Sequence, residues 1–164
     1  MLVMLLLFLM INSVSAQNIV RDEKYEWEKI IPLVTKKSEI EKLYGKSIFD
    51  FENGVSFVYQ TKFGKLGIRY KGKNDLTNNL CKWKIEPDTV ISYRVSLSEN
   101  ILVSKFKYDS NLFEKEFGHE GDFSYGNNEI GLTFFGYFSD TKEEWISTIY
   151  YYPTLADEKS KCKK

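Results

Sequence analysis

Strict two-residue alternation limits this chain more than any other feature. In "GVSFVYQ", Val55, Phe57 and Tyr59 alternate with Ser56, Val58 and Gln60, and in "KLGIRYK", Leu66, Ile68 and Tyr70 alternate with Lys65, Gly67, Arg69 and Lys71. In "VISYRVSLS", Ile91, Tyr93, Val95 and Leu97 oppose Ser92, Arg94 and Ser96. Successive strand side chains point to opposite sheet faces, so the pattern describes an antiparallel sheet with one buried and one wet face. "TKFG" between the first two runs predicts a hairpin. The basic residues of "KFGKLGIRYKGK" then fall on its wet side.

The helical signals are short. "LVTKKSEIEKLYGKS" follows Pro32 and places Ile40, Leu43 and Tyr44 on one face, with Thr35 as cap and Gly45 as stop. "YDSNLFEKEFG" predicts a second helical turn, capped by Asp109 or Ser110 and stopped by Gly118. "KGKNDLTNNLCK" reads as a loop leading to Cys81, while "FENG" and "GNNE" read as hairpin turns, since neither has calcium-loop spacing. "NNEIGLTFFGYF" and "WISTIYYYP" are two further strands. In the last of these Ile146, Tyr150 and Tyr152 are expected on one face and Trp145, Ile149 and Tyr151 on the other. A strand apolar on both faces is central or covered.

Both halves thus pair a short helix ending in glycine (Gly45, Gly118) with a later strand carrying Ile-Ser (Ile91-Ser92, Ile146-Ser147). The expected fold is α+β: an antiparallel sheet of about six strands, with one or two short helices packed on one face. A twofold pseudo-repeat over 30–97 and 106–153 is suspected. The expected domain is 17–155, followed by a polar tail over 156–164.

Residues 1–16 read as a signal peptide, an apolar run over 2–11 followed by Val14-Ser15-Ala16. That run is too short to cross a bilayer of about 30 Å as a helix, so no integral span is expected after cleavage. No cysteine sits at the cleavage point, which argues against lipid attachment there. The expected location is secreted or periplasmic. Both cysteines, Cys81 and Cys162, lie beyond the signal, and an even count in an oxidising compartment favours one disulfide over two thiols. It would close a loop of about 80 residues, worth roughly 4 kcal/mol by chain entropy. With 23 basic and 23 acidic residues the chain has no net charge to draw it to nucleic acid.

The stretches "IIPLVTKKSEIEKLYGKS", "CKWKIEPDTVISYRVSLS", "FGHEGDFSYGNNEIGLTF" and "IYYYPTLADEKSKC" together resemble a group of secreted bacterial proteins of uncharacterised function. The shared pattern runs from Pro32-Leu33 and Gly45, through Cys81, Trp83 and Asp88-Thr89, to Tyr125, Asn127 and Gly131. It closes on Tyr151-Tyr152-Pro153 and Cys162. Tyr44 replaces the usual Leu, and an extra residue separates Trp83 from Pro87. The resemblance implies that Cys81 and Cys162 belong to one framework. More distantly, the short helix, Leu/Tyr-Gly stop and antiparallel strands look like the repeat of beta-lactamase-inhibitor-like proteins and of outer-membrane-assembly lipoproteins. Those families present a sheet surface to another protein, although this chain lacks the lipid-modified cysteine of the latter.

Chemical signals are sparse. His119, the only histidine, stands in "FGHEGD" beside Glu120 and Asp122. Alone it does not make a zinc site of ordinary composition, and no serine occupies a Gly-x-Ser-x-Gly elbow. No catalytic residue, cofactor or metal is expected. Aromatics make up 16% of the chain, enough to supply interface anchors as well as core. The candidate interface residues are Trp83, Tyr93, Arg94, Trp145 and Tyr151. The expected function is a non-enzymatic binding domain that uses a sheet surface on a protein partner. A structural envelope component without a discrete ligand, or a hydrolase using His119, are the alternatives.

Overall fold

In the computed structural model, which describes residues 25–51, 54–73, 82–119 and 121–163, the alternating runs form one open antiparallel sheet. The strands in chain order are β1 (Phe49–Asp50), β2 (Ser56–Thr61), β3 (Gly64–Tyr70), β4 (Lys82–Trp83), β5 (Val90–Leu102), β6 (Glu114–Phe117), β7 (Asp122–Asn127), β8 (Leu132–Phe138), β9 (Glu144–Tyr151) and β10 (Cys162–Lys163). Eight of them build the sheet in the order β1-β2-β3-β5-β9-β8-β7-β6, while β4 and β10 form a separate two-stranded ribbon. The order is two meanders whose last strands, β5 and β9, pair at the centre. The segment 1–16 read as a signal peptide, Cys81 and most of its loop, and Glu120 lie outside the described residues.

The sheet is larger than the expected six strands: the runs read as strands are β2, β3, β5, β8 and β9, and β7 and the two edge strands β1 and β6 join them. β1 is two residues long. β6 occupies the place of the expected second helix. Asp109 caps only a single 3-10 turn, Ser110–Leu112, by accepting a bond from Asn111 N–H. Glu114 to Phe117 then extend and pair with β7. The period-two pattern of Lys115 and Phe117 against Glu114 and Glu116 prevails over the cap.

One sheet face is sealed. Tyr59, Leu66, Ile68, Tyr70, Val95, Phe134 and Ile149 point into a core closed by Trp27 and Ile30 from the N-terminal segment, Ile40 from helix α1 (Lys37–Tyr44), and Phe106 and Phe113 from the segment before β6. Burying one such aliphatic side chain is worth about 1.5–3 kcal/mol. α1 contributes less than its expected stripe: Ile40 is buried, Tyr44 half-buried and Leu43 exposed. Its N-cap is Lys36, whose N–H donates to Glu39 Oε2 at 2.7 Å. The expected cap, Thr35, instead accepts from Ile31 N–H at 2.8 Å. Gly45 does close the helix, at φ +79°. The expected polar tail is folded: α2 (Leu155–Lys161) is capped reciprocally by Thr154 and Asp157 and runs into β10.

The registers of the two meanders match. Leu66, Ile68 and Tyr70 of β3 oppose Val95, Tyr93 and Val90 of β5, and Leu132, Phe134 and Gly136 of β8 oppose Tyr151, Ile149 and Ile146 of β9. In both, the last step skips three residues on the central strand, which marks a bulge at the same place. Farther out, Phe49 opposite Val58 opposite Gly67 corresponds to Glu114 opposite Gly126 opposite Thr133. The Ile-Ser match in the sequence is therefore one residue out, because Ile146 takes the place of Val90 and not of Ile91. The same bulge corrects the last strand: Ile146 joins Ile149 and Tyr151 on the buried face, and Trp145 turns to the other side. β9 is central, as its two apolar faces imply.

Candidate interaction surface

The second sheet face is built from the residues that alternate with the core. Its central row crosses all eight strands in register: Phe49, Val58, Gly67, Arg94, Tyr150, Thr133, Gly126 and Glu114. A parallel row runs Gln60, Lys65, Ser96, Thr148, Phe135, Ser124 and Glu116. All of these side chains are half-buried or exposed. Gly67 in one meander and Gly126 in the other, each flanked by larger residues, leave two hollows.

The hollow on the first meander, of about 240 Å³, is lined by Phe51, Gly67, Arg69, Ser92, Arg94 and Tyr150 among others. Its floor is open because Gly67 carries no side chain, and an added Cβ would meet nothing nearer than the Arg94 carbonyl oxygen at 4.0 Å. Tyr150 is held over it by donating from its hydroxyl to Ser92 Oγ at 3.1 Å. Arg94 is exposed, and its guanidinium has no ion pair or hydrogen bond among the described residues. Phe49 and Phe51 stand 55% and 47% exposed beside it, with ring centroids 4.9 Å apart.

The hollow on the second meander, of about 580 Å³, has the opposite character. Glu114, Glu116 and Glu129 line it, with Asn127, Asn128 and Thr133 between them, and Phe135, 44% exposed, and Leu155 at its margin. Asp122 projects on the same side, opposite Tyr137. Among the described strand residues of this face, the cations Lys65, Arg69 and Arg94 all lie on the first meander and the carboxylates on the second.

At one edge of the sheet, Lys115 of β6 points inward. Its Nζ lies 5.0–5.3 Å from the ring centroids of Phe117, Phe123, Tyr125 and Phe138 and pairs with Glu144 Oε1. Tyr125 donates from its hydroxyl to Glu144 Oε2 at 2.7 Å. Burial alone would raise the Glu144 carboxyl, but the bonds from Lys115 and Tyr125 outweigh it and hold the group below its usual range. An inward charge on an edge strand opposes strand addition, which leaves the face rather than this edge as the accessible surface.

The interface candidates from sequence separate. Arg94 sits at the centre of the open face. Trp145 is half-buried on it, opposite Tyr137. Trp83 lies on the small ribbon, opposite Cys162. Tyr93 and Tyr151 are core residues and not interface: their rings stack at 4.6 Å, with Tyr93 donating to the Trp27 carbonyl at 3.1 Å and Tyr151 to Glu28 Oε1 at 3.4 Å. Burial pushes the Tyr151 phenol well above its usual value. Cross-strand packing claimed them because both fall in register on the buried side. Sequence reasoning missed Tyr150, Phe135 and Phe49, although each alternates with a core neighbour and that alternation was the available signal.

His119 is exposed in the β6–β7 turn, where its carbonyl accepts from Asp122 N–H at 3.3 Å, and neither hollow includes it. Among the described residues no group of three His, Cys, Asp or Glu side chains is placed to hold a metal, and no helix is long and apolar enough to cross a membrane. Comparison of the chain with protein-family models, curated proteins and solved structures finds no match.

Proposed function

We propose that this chain is an exported, non-enzymatic interaction module that presents the open face of its sheet to a protein partner. The observation that carries this is the centre of that face, where Arg94, with no partner among the described residues, projects beside Tyr150 and over the cleft at Gly67. Arginine and tyrosine are, with tryptophan, the residue types enriched in binding hot spots. Two hollows and three exposed phenylalanines on one side favour a discrete partner over a purely structural envelope role. His119 is exposed and lines neither of the two hollows, which favours the binding reading over a hydrolase.

The export reading rests on the segment 1–16. A Cys81–Cys162 disulfide belongs to the same proposal, supported by the β4–β10 pairing, which brings Cys162 opposite Trp83, two residues from Cys81. The matching registers of the two meanders, bulges included, support an internal duplication as its origin. Both cysteines are expected to resist alkylation until the chain is reduced; free alkylation without reductant would remove the staple from the proposal.

A photo-crosslinking residue placed at Arg94 or Phe135, and for contrast at Leu43 on α1, tests the function. Adducts are expected from the two open-face positions only, when the protein is returned to the fraction it is exported into. Equal adduct yields from Leu43, or none from either open-face position, would overturn the proposal.

A further inference from the structure

We infer that the partner of the open face is a second copy of this chain, docked face to face about a twofold axis parallel to β5 and β9; this rests on the interaction-module reading above. The argument starts from the division of charge. Lys65, Arg69 and Arg94 lie on the first meander, and Glu114, Glu116, Asp122 and Glu129 on the second. A twofold axis lying in the face and running along the central strands exchanges left for right. It sets each copy's basic half over the other's acidic half. The alternative in-plane axis, across the strands, would stack like charge on like and is disfavoured by several kcal/mol.

Shape follows the same operator. The central row reads Phe49, Val58, Gly67, Arg94, Tyr150, Thr133, Gly126, Glu114. Reversed against itself, it sets Val58 over Gly126, Thr133 over Gly67, and Arg94 over Tyr150. Each glycine gap meets a branched side chain, and each guanidinium meets a phenol ring, an attractive cation–π geometry. The Arg69 end of the row beside it faces the turn that carries Glu129.

Size is adequate as well. Eight strands at about 4.8 Å spacing and roughly 20 Å of strand length give a face of about 770 Å² per copy. That is near the ~800 Å² per partner of a standard specific interface. Two twisted sheets pack face to face at about −30°, an arrangement compatible with a twofold axis along their mean strand direction. The equal numbers of acidic and basic residues, 23 of each, leave no net repulsion between copies.

Sedimentation equilibrium on the purified chain at low salt, with two charge-reversed variants, tests this. One is Lys65→Glu/Arg94→Glu, which leaves Arg69 as the remaining cation among the described strand residues of the face; the other is Glu114→Lys/Glu116→Lys, which leaves Asp122 and Glu129 as its remaining carboxylates among those named. Wild type is expected at twice the chain mass at micromolar concentration, and each variant alone at the single mass, with association weakened at least about a hundredfold. An equimolar mixture of the two variants is expected to recover the doubled mass, which a misfolded variant would not do. A wild-type chain that stays single at about 100 µM, a variant that still dimerises, or a mixture that fails to associate while each component unfolds cooperatively would each overturn the inference. If wild type is single but Arg94 and Phe135 still crosslink to another protein, the interaction reading stands and the second copy falls.

Discussion

Glu28 carries the most demanding energetic claim in the fold. The residue is 4% exposed, yet it bears a carboxylate. Lys107 Nζ pairs with it at 2.6 Å, and the hydroxyls of Tyr151 and Tyr108 donate to its other oxygen at 3.4 and 3.5 Å. This cluster ties the N-terminal segment to the stretch joining the two meanders. Glu28→Gln keeps the volume and removes the negative charge that faces the Lys107 ammonium, whose side chain is only 12% exposed. Breaking a buried pair by one partner costs about 3–5 kcal/mol, and the small opening at Lys107 lowers that to about 3 kcal/mol. At this chain length the loss lowers Tm by roughly 6–12 °C. Replacing both partners, Glu28→Leu with Lys107→Met, is expected to recover most of the loss, since an apolar pair of similar volume needs no compensation. Urea unfolding of the wild type, Glu28→Leu, Lys107→Met and the double closes the cycle, with Glu28→Gln measured beside it. A Glu28→Gln variant within about 0.5 kcal/mol of wild type, or a double variant as unstable as the sum of the singles, would refute the reasoning.

Two further outcomes follow from the same kind of accounting. The Glu144 carboxyl is held below its usual value, so the unfolded chain binds the proton more tightly. The stability it contributes is present above the unfolded value and is lost as pH falls through the folded one. Glu144→Gln should therefore flatten the acid limb of a stability–pH curve while leaving its slope near neutrality unchanged; an unaltered acid limb would count against the Lys115–Glu144–Tyr125 cluster. Tyr44, whose hydroxyl is buried with no hydrogen-bond partner among the described residues and whose phenol is raised to about 12 by burial and then by Glu26, offers a gain. Tyr44→Phe is expected to stabilise the chain by about 1 kcal/mol by removing an unsatisfied group, and a loss of stability in urea unfolding would show that the hydroxyl is bonded after all.

The alternation of Phe57, Tyr59, Leu66, Ile68, Tyr93 and Val95 with polar neighbours was enough to assign β2, β3 and β5, the hairpin at 61–64, and a sheet with one wet face. Side-chain direction in a strand is a local property, so a local pattern reports it. Gly64 illustrates how close that reading comes to tertiary detail: its φ of +131° suits the turn, and a Cβ there would lie 2.0 Å from the Ser96 carbonyl oxygen on the neighbouring strand. The site was only partly legible. Arg94 was found because it alternates with core residues, whereas Tyr93 and Tyr151 were misplaced because aromatic residues serve core and interface equally well.

What the sequence by itself determined is the periodicity: which stretches extend, and which side of β2, β3 and β5 is polar; it left β9, apolar on both sides, as central or covered, and pairing with β5 and β8 put it at the centre. The tertiary structure alone decided the rest. Two edge strands formed because neighbours offered free hydrogen bonds to β1 and β6, which are too short to form alone. The bulges moved Ile146 and Trp145 to opposite faces, a one-residue change that only pairing enforces. The pairing of β5 with β9, which joins residues as distant in the chain as Tyr93 and Tyr151, set the basic half of the open face beside its acidic half. No local pattern carries that information, because such long-range pairing depends on how the whole core closes.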